Sequence, residues 1–453
     1  MILLLDLFVA TATLAIGGCG VVSLLSQRRL SWWEYCALTW FFGTSLVSLS
    51  LWIGGLFLRG IALQCIVTGI CVLIGVIGLR RLRASGSKQR EPSGTRFEFV
   101  LVALFAAELI AMFLASFQDT LRWDGLVVWE IKARYAFLNG GVIPPAFFSD
   151  ASRSFANPHY PLLLPLTETW FYLWLGDSNQ FWIKLIFPIW CGAAMSMLLV
   201  AGEELSGERM VGWVVALLFP LAPCLHNQSG GFQVGYADGP LGAMYLAAGF
   251  YLLRFIRDGS RDAMVLFITL AALLPWMKPE GIVLWSTISL CGAVALRMKG
   301  RSWASVAASF LPGLTLIVLW QIFLACVHES SPKDFVFPTL GILSRNIHRV
   351  GGILDHTIRE LTALRNWGIF WLLVGLAMCG IVVPRRRPRA AVLMWLFLVP
   401  FVCYCASYLV SALPDYMWHM DTSLRRHFVQ LVPTAWLLVA LAIAPRKQTE
   451  EQN

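Results

Sequence analysis

The sequence predicts an all-α, polytopic integral membrane protein with about 13 transmembrane helices, on three observations. Of 453 residues, 58% are hydrophobic and only 13% are charged, where soluble chains carry about a quarter charged residues. The mean hydropathy is +0.69. Apolar runs of roughly 20 residues, the helix length that crosses a ~30 Å hydrocarbon core, recur along nearly the whole chain. Lipid admits only helices and closed barrels, and these runs are too long and too uniformly apolar for barrel strands.

The first run, MILLLDLFVATATLAIGGCG, lacks the positively charged leader of a secretory signal peptide and reads as a span near 2–25. Further spans are expected near 36–57, 61–79, 97–116, 180–201, 209–225, 236–255, 262–276, 279–296, 303–326, 367–383, 390–412 and 427–445. Basic clusters lie at Arg28-Arg29, from Arg80 to Arg96, around Arg257 and Arg261, from Arg297 to Arg301, from Arg385 to Arg389, and at Arg446-Lys447. Counted over short loops, positive charge marks the cytoplasmic side. The N-terminus is then outside, the C-terminus inside, and four polar loops share the outer face: 117–179, 226–235, 327–366 and 413–426.

One apolar run, YPLLLPLTETWFYLWLG at 160–176, does not fit as a crossing without reversing the later basic clusters. It carries Pro161, Pro165 and Glu168 and is rich in aromatics, so it is expected to pack at the outer surface or dip in partway. The chain divides into an N-terminal three-helix segment with its basic loop (1–96), a larger membrane domain (97–445) and a short cytoplasmic tail (446–453). The eleven cysteines fall almost entirely in apolar runs with no CxxC or Cys/His spacing, as small apolar residues would. The net charge of +9 sits in inter-span loops and calls for no nucleic-acid partner.

The stretch from Gln118 to Pro161 gathers Asp119, Asp124, Glu130, Lys132, Arg134 and His159 in a chain otherwise built for lipid. Asp124 stands just beyond the fourth span, and Val127, Val128, Ile131 and Tyr135 come after it at helical spacing, as in an amphipathic interfacial helix. It is either a helix N-cap or a catalytic acid; Asp119 reads as solvated. Asp238, in GGFQVGYADGPLG, enters a span from outside, where a carboxylate is costly unless it meets a partner or a cavity; helix capping is the plainer alternative. In WMKPEGIVLW, Lys278-Pro279 breaks the helix and Gly281 permits close packing, so Lys278 either binds an anion or pairs with Glu280. Arg425 and Arg426 run against the positive-inside bias, as phosphate ligands or as partners of Asp415 and Asp421. The 327–366 loop adds Arg345, His348, Arg349, His356, Arg359 and Arg365 and reads as basic and mobile.

Taken in order, these segments resemble the polytopic glycosyltransferases of the GT-C superfamily, most nearly bacterial transferases of the aminoarabinose-to-lipid-A and protein O-mannosyltransferase kind. The counterparts are Asp124, then ARYAFLNGGVIPP, HYPLLLPLTETWFYLWLG, YADGP, MKPEG and LRRHFVQLVP, over about 97–445. Three departures stand out. Gly125 is next to Asp124 where the family often has paired acids, three helices precede the pattern, and Tyr160, beside His159, stands where the lipid-A enzymes carry a lysine.

The resemblance implies an inner-membrane enzyme that moves a sugar from a polyprenyl-phosphate donor to a hydroxyl acceptor on the outer face. It implies outer-face interfacial helices in the first large loop. In that reading Asp124 is the base, Lys278, Arg425 and Arg426 bind the donor phosphate, and Asp238, His159, Tyr160, Glu280 and Tyr236 bind or orient the substrate. The lipid chain would lie in a groove bordered by residues 170–174, with acceptor contacts in 327–366. No cofactor is required, and a role for a divalent metal stays open. The competing class is a transporter or lipid-linked sugar flippase, since charged residues in membranes also mark substrate pathways. No internal repeat of the kind transporter halves show is present.

Overall fold

The computed structural model describes residues 2–27, 30–84, 96–118, 120–226, 231–233, 235–329, 331–381 and 387–444. Arg28-Arg29, most of the cluster from Arg80 to Arg96, Asp119, Arg385, Arg386, Arg446 and Lys447 lie outside the described residues. Among the described residues the regular elements are helices, joined by one antiparallel bridge between Phe335 and Ser411.

The chain opens with α1 (Ile2–Leu25), α2 (Trp32–Gly54) and α3 (Gly60–Ala84). A capping box starts α2: Ser31 Oγ accepts from the Glu34 N–H at 3.2 Å, and the Glu34 carboxylate accepts from the Ser31 N–H at 3.4 Å. The fourth helix, α4 (Arg96–Gln118), leads into a π-helical turn at Gly125–Glu130 and then α5 (Ile131–Leu138), α6 (Pro145–Ser149), α7 (Leu163–Leu175), α8 (Gln180–Ile183) and α9 (Ile186–Ser206). Next come α10 (Arg209–Leu218), α11 (Asp238–Asp258), α12 (Arg261–Met277), α13 (Gly281–Met298) and α14 (Trp303–Cys326). Three short helices, α15 (Leu340–Arg345), α16 (Val350–Thr362) and α17 (Leu364–Trp367), make up most of the loop read as mobile. The chain then forms α18 (Phe370–Ile381), α19 (Arg387–Ser407), α20 (Tyr416–Val429) and α21 (Val432–Ile443).

Among the described residues nine helices are long and apolar enough to cross a membrane, ten if α20 and α21, bent by 50°, form one span. Each of the thirteen expected segments is helical, but not each reaches spanning length. Helix α10 has 10 residues and gives way to 3₁₀ turns at Pro220 and Pro223. At 1.5 Å per residue it reaches only about 15 Å.

The 160–176 run forms a 13-residue helix that is not among the spans, in keeping with the expected partial entry. Helix α7 lies inside the protein, with residues 161–172 all buried, packed against α1, α2 and α5 rather than along a surface. Its aromatics face protein: Trp170 Nε1 donates to the Ala10 carbonyl at 3.1 Å, and Trp170, Phe171 and Tyr172 are fully enclosed. Of the 170–174 run expected to border a lipid groove, only Leu173 and Trp174 stay half-buried. Glu168 is enclosed as well, without a hydrogen-bond partner, and burial, reinforced by Glu130, pushes its carboxyl well up.

The helix after Asp124 is present: Val128 of the expected stripe is buried and Val127, Ile131 and Tyr135 are half-buried against the core, while Trp129, Glu130, Lys132, Ala133 and Ala136 are buried as well. The Ile131 N–H bonds Leu126 O, an i→i−5 closure that inserts a residue and rotates the phase of α5.

Helix α11 is the centre of the bundle, with 94% of its spanning window buried, against 17% for α3 and for α14. Leu73, Phe99, Leu114 and Ile322 on α3, α4 and α14 are exposed, an apolar surface suited to lipid. Helices α1–α3 belong to this body, with α2 packed on α7 and α9. Trp276 Nε1 in α12 donates to Ser48 Oγ of α2 at 2.9 Å.

Charge concentrates at the two ends of α11. One end holds Arg254, buried, 2.5 Å from Glu34 and 2.6 Å from Glu204. The other end starts at Asp238, sixteen residues or about 24 Å away.

Candidate active site at one end of the bundle

The floor of the site is a buried charge network around Asp238. Its Oδ1 accepts from Lys278 Nζ and from Gln430 Nε2, each at 2.7 Å, and its Oδ2 from Arg426 Nε at 3.4 Å. Lys278 Nζ also lies 2.9 Å from Glu280 Oε1, which meets His427 Nε2 at 3.3 Å. Tyr404 Oη donates to Gln430 Oε1 at 2.6 Å, which turns the Gln430 amide nitrogen toward Asp238. The network resolves the alternatives left by the sequence. Asp238 is the first residue of its helix and an ion partner, not a cap, and Lys278 pairs with Glu280 and with Asp238 together.

Local sequence explains the geometry. Before Pro279 the α-region is disfavoured, and Lys278 is extended at φ −158°, ψ 154°, so α12 ends and the ammonium turns back onto α11. Gly281 lies so close to the preceding turn that a Cβ there would stand 2.0 Å from Leu274 O. Gly242, one turn into α11, lets Gln430 approach: a Cβ would lie 2.7 Å from its carbonyl oxygen.

Above the floor, Asp124 and Arg426 form the mouth, Oδ2 to Nη2 2.5 Å, with side chains 15% and 16% exposed. Asp238 and Lys278 beneath are 0% and 1% exposed. Asp124 makes no side-chain cap bond, so the plain capping role is absent. Its N–H donates to Tyr236 Oη at 3.3 Å, and the Arg426 guanidinium lies over the Tyr236 ring at 5.0 Å. Burial, with Asp124 nearby, pushes the Tyr236 phenol up.

The structure thus gathers Asp124, Tyr236, Asp238, Lys278, Glu280 and Arg426 from four separate stretches of chain. Tyr160 stands in their field, its phenol raised by burial and by Glu280. His159 points elsewhere, with Nδ1 3.0 Å from Ser331 Oγ and 3.8 Å from Glu329. Burial, with Lys333 and Lys132 adding to it, holds His159 down at about 3.

Arg425 parts from Arg426, as neighbours on a helix must. It donates to Glu360 of α16 through Nε at 2.6 Å and Nη2 at 2.9 Å. Asp415 caps α20 through the Met417 and Trp418 N–H groups, and Asp421 lies 3.5 Å from His356. Arg349 stacks on Tyr416 and Arg359 pairs with Asp355, away from Asp238.

Four residues near the site take no role from sequence, Lys132 being named only among the charges of its loop. Gln430 and Tyr404 are visible only through packing. Lys132 is fully buried, its Nζ donating to Asn157 O at 2.7 Å between the Trp129 and Tyr160 rings, each 5.4 Å away. Burial drives its pKa well below the ordinary lysine value, against the pull of Asp124 and Glu329. The π-turn that shifts the helical phase hid this inward position. Asp334 is the other charged residue not singled out; its carboxyl feels Glu280, Arg426, Lys278 and Asp124.

Among the described residues no three His, Cys, Asp or Glu side chains are grouped to hold a metal ion. An apolar cavity of about 170 Å³ opens near the α2–α3 turn, lined by Leu51, Trp52, Val142, Phe148, Leu166 and Phe323, with Arg59 also at its wall. Comparison of the chain with known protein families, curated proteins and solved structures finds no match.

Proposed function

We propose that the protein is a membrane glycosyltransferase that moves a sugar from a polyprenyl-phosphate donor to a hydroxyl acceptor, with the Asp238 end of the bundle at the outer membrane face. The observation that carries this reading is the mouth: a carboxylate and a guanidinium 2.5 Å apart, both reachable from outside, on a buried charged floor. The resemblance of the motif order to GT-C enzymes supports it independently.

The chemistry needs two things the mouth offers. Asp124 accepts the acceptor hydroxyl proton as the oxygen bonds to the anomeric carbon. The bond from that carbon to the phosphate oxygen breaks, and Arg426 receives the charge on the departing polyprenyl phosphate. The donor phosphate competes with Asp124 for Arg426, so donor binding frees the carboxylate to act as base. Lys278, enclosed by Asp238 and Glu280, works through them by fixing the floor rather than by touching phosphate. Arg425 serves the α16–α20 contact. The apolar cavity beside the α2–α3 turn offers room for part of a hydrocarbon chain.

Transport is the competing reading, because a lysine held between two buried carboxylates is also a substrate-pathway feature. The deciding experiment is transfer of labelled sugar from polyprenyl-phosphate donors in membranes holding wild type or D124N. Product from wild type and none from equally abundant D124N is the expected result. Equal transfer by both removes Asp124 from the chemistry. No transfer by wild type with hexose and pentose donors overturns the transferase reading in favour of transport.

A further inference from the structure

We propose that Asp334, with the free oxygen of Glu280, forms the subsite that holds hydroxyl groups of the transferred sugar ring. This rests on the glycosyl-transfer reading above and adds a residue from the 327–366 loop to it.

Most carboxylate oxygens around the mouth already have partners. Asp124 is taken by Arg426, Asp238 by Lys278, Gln430 and Arg426, and Glu280 Oε1 by Lys278 and His427. Glu329, in the same loop as Asp334, is taken by Ser331 and Lys333. Besides Asp124 Oδ1, three acceptor oxygens around the mouth stay unused among the described residues. Glu280 Oε2 is buried without a hydrogen-bond partner. The half-buried Asp334 carboxylate has no hydrogen bond or ion pair among the described residues.

Asp334 does not hang from a loose loop. The Val336 N–H donates to Val410 O and the Ala412 N–H to Asp334 O, each at 2.9 Å, on either side of the Phe335–Ser411 bridge. Phe335 packs on His419 and Tyr408, with ring centroids 4.8 and 6.2 Å away. Tyr408 Oη lies 3.3 Å from His427 Nδ1, and His427 Nε2 lies 3.3 Å from Glu280 Oε1, so the bridge holds the Asp334 segment beside the Glu280 corner of the site. Burial, then Glu280, raises the Asp334 carboxyl above the ordinary range.

Acceptor oxygens left without donors in a half-buried site cost free energy, which a ligand bringing donors relieves. Lys278, Arg426 and Lys132 nearby disfavour a cation in that role. Neutral hydroxyls remain, and neighbouring hydroxyls of a sugar ring can bond the two oxygens of one carboxylate.

The test compares binding of polyprenyl phosphate with and without an attached hexose or pentose to purified protein in detergent, for wild type, D334A, D334N and R426M. Wild type should bind one sugar-bearing lipid about 10- to 100-fold more tightly than the bare lipid, the range expected for hydrogen bonds to a charged group. D334A should bring that ratio near one while leaving the bare-lipid affinity unchanged. R426M should weaken both lipids. A sugar preference retained in both Asp334 variants, or absent from wild type that still binds the bare lipid, overturns the subsite. Wild type that binds neither form overturns the glycosyl-transfer reading instead. Should D334A unfold early, the isosteric D334N, checked by thermal unfolding, decides.

Discussion

Replacing Lys278 with methionine keeps the length of the side chain and removes the ammonium that joins two carboxylates. In the native protein that nitrogen is 2.7 Å from Asp238 and 2.9 Å from Glu280, with 1% exposure. The variant leaves Asp238 with Gln430 at 2.7 Å and Arg426 at 3.4 Å, and Glu280 with His427 alone. Breaking one side of a buried pair costs about 3–5 kcal/mol, because the remaining charge stays out of water. Against a total stability of about 5–15 kcal/mol this is a large loss. Removing one partner charge as well, in K278M/D238N, should recover about 2 kcal/mol, since one of the two carboxylates left without the ammonium is then gone. The assay is reversible unfolding in mixed detergent micelles, monitored by tryptophan fluorescence, for the two single variants and the double. Stability of K278M within about 1 kcal/mol of wild type, or additive losses in the double variant, would refute the buried network as the support of the site.

Gly242→Val should lower donor-lipid affinity at least tenfold without touching a charged residue, because its Cβ would displace the Gln430 backbone and with it Arg426; wild-type affinity in a folded variant would count against the close approach. His159 titrates at about 3 in the folded protein against about 6.5 unfolded, because of burial and then Lys333. The unfolded state therefore binds more protons between those values, and stability falls as pH drops from about 6.5 toward 3. His159→Gln should flatten thermal unfolding temperature against pH between about 6.5 and 4; an unchanged slope would assign the dependence to other groups.

How much of this was legible in the chain depends on the residue. Asp238, Lys278-Pro279-Glu280 and Arg426 stood out because a charge in an apolar run is costly and so marks a place where something compensates it. The compensation proved mutual: opposite charges from α11, the α12–α13 break and α20 meet each other. Arg425 looked identical to Arg426 in sequence, yet one step along a helix turns a side chain by about 100°, and it meets Glu360 instead. Lys132 has no role legible in sequence for a similar reason, since one π-turn changes the face on which it falls. The run 160–176 has the hydropathy of an interface segment, and hydropathy cannot tell lipid from the packed interior of a bundle.

Composition and periodicity alone determined that this is a helical chain for a membrane, where its helices fall, and which charges are out of place among apolar neighbours. These are local properties, set by the cost of exposing backbone and charge to hydrocarbon. Only the tertiary structure decided that α10 falls short of spanning length, that α7 lies inside, that Asp124 meets Arg426 across some 300 residues, and that a bridge to Ser411 anchors the segment carrying Asp334. Those facts depend on helix phase and on the close approach of distant segments, and neither is written in any stretch of sequence short enough to read by itself.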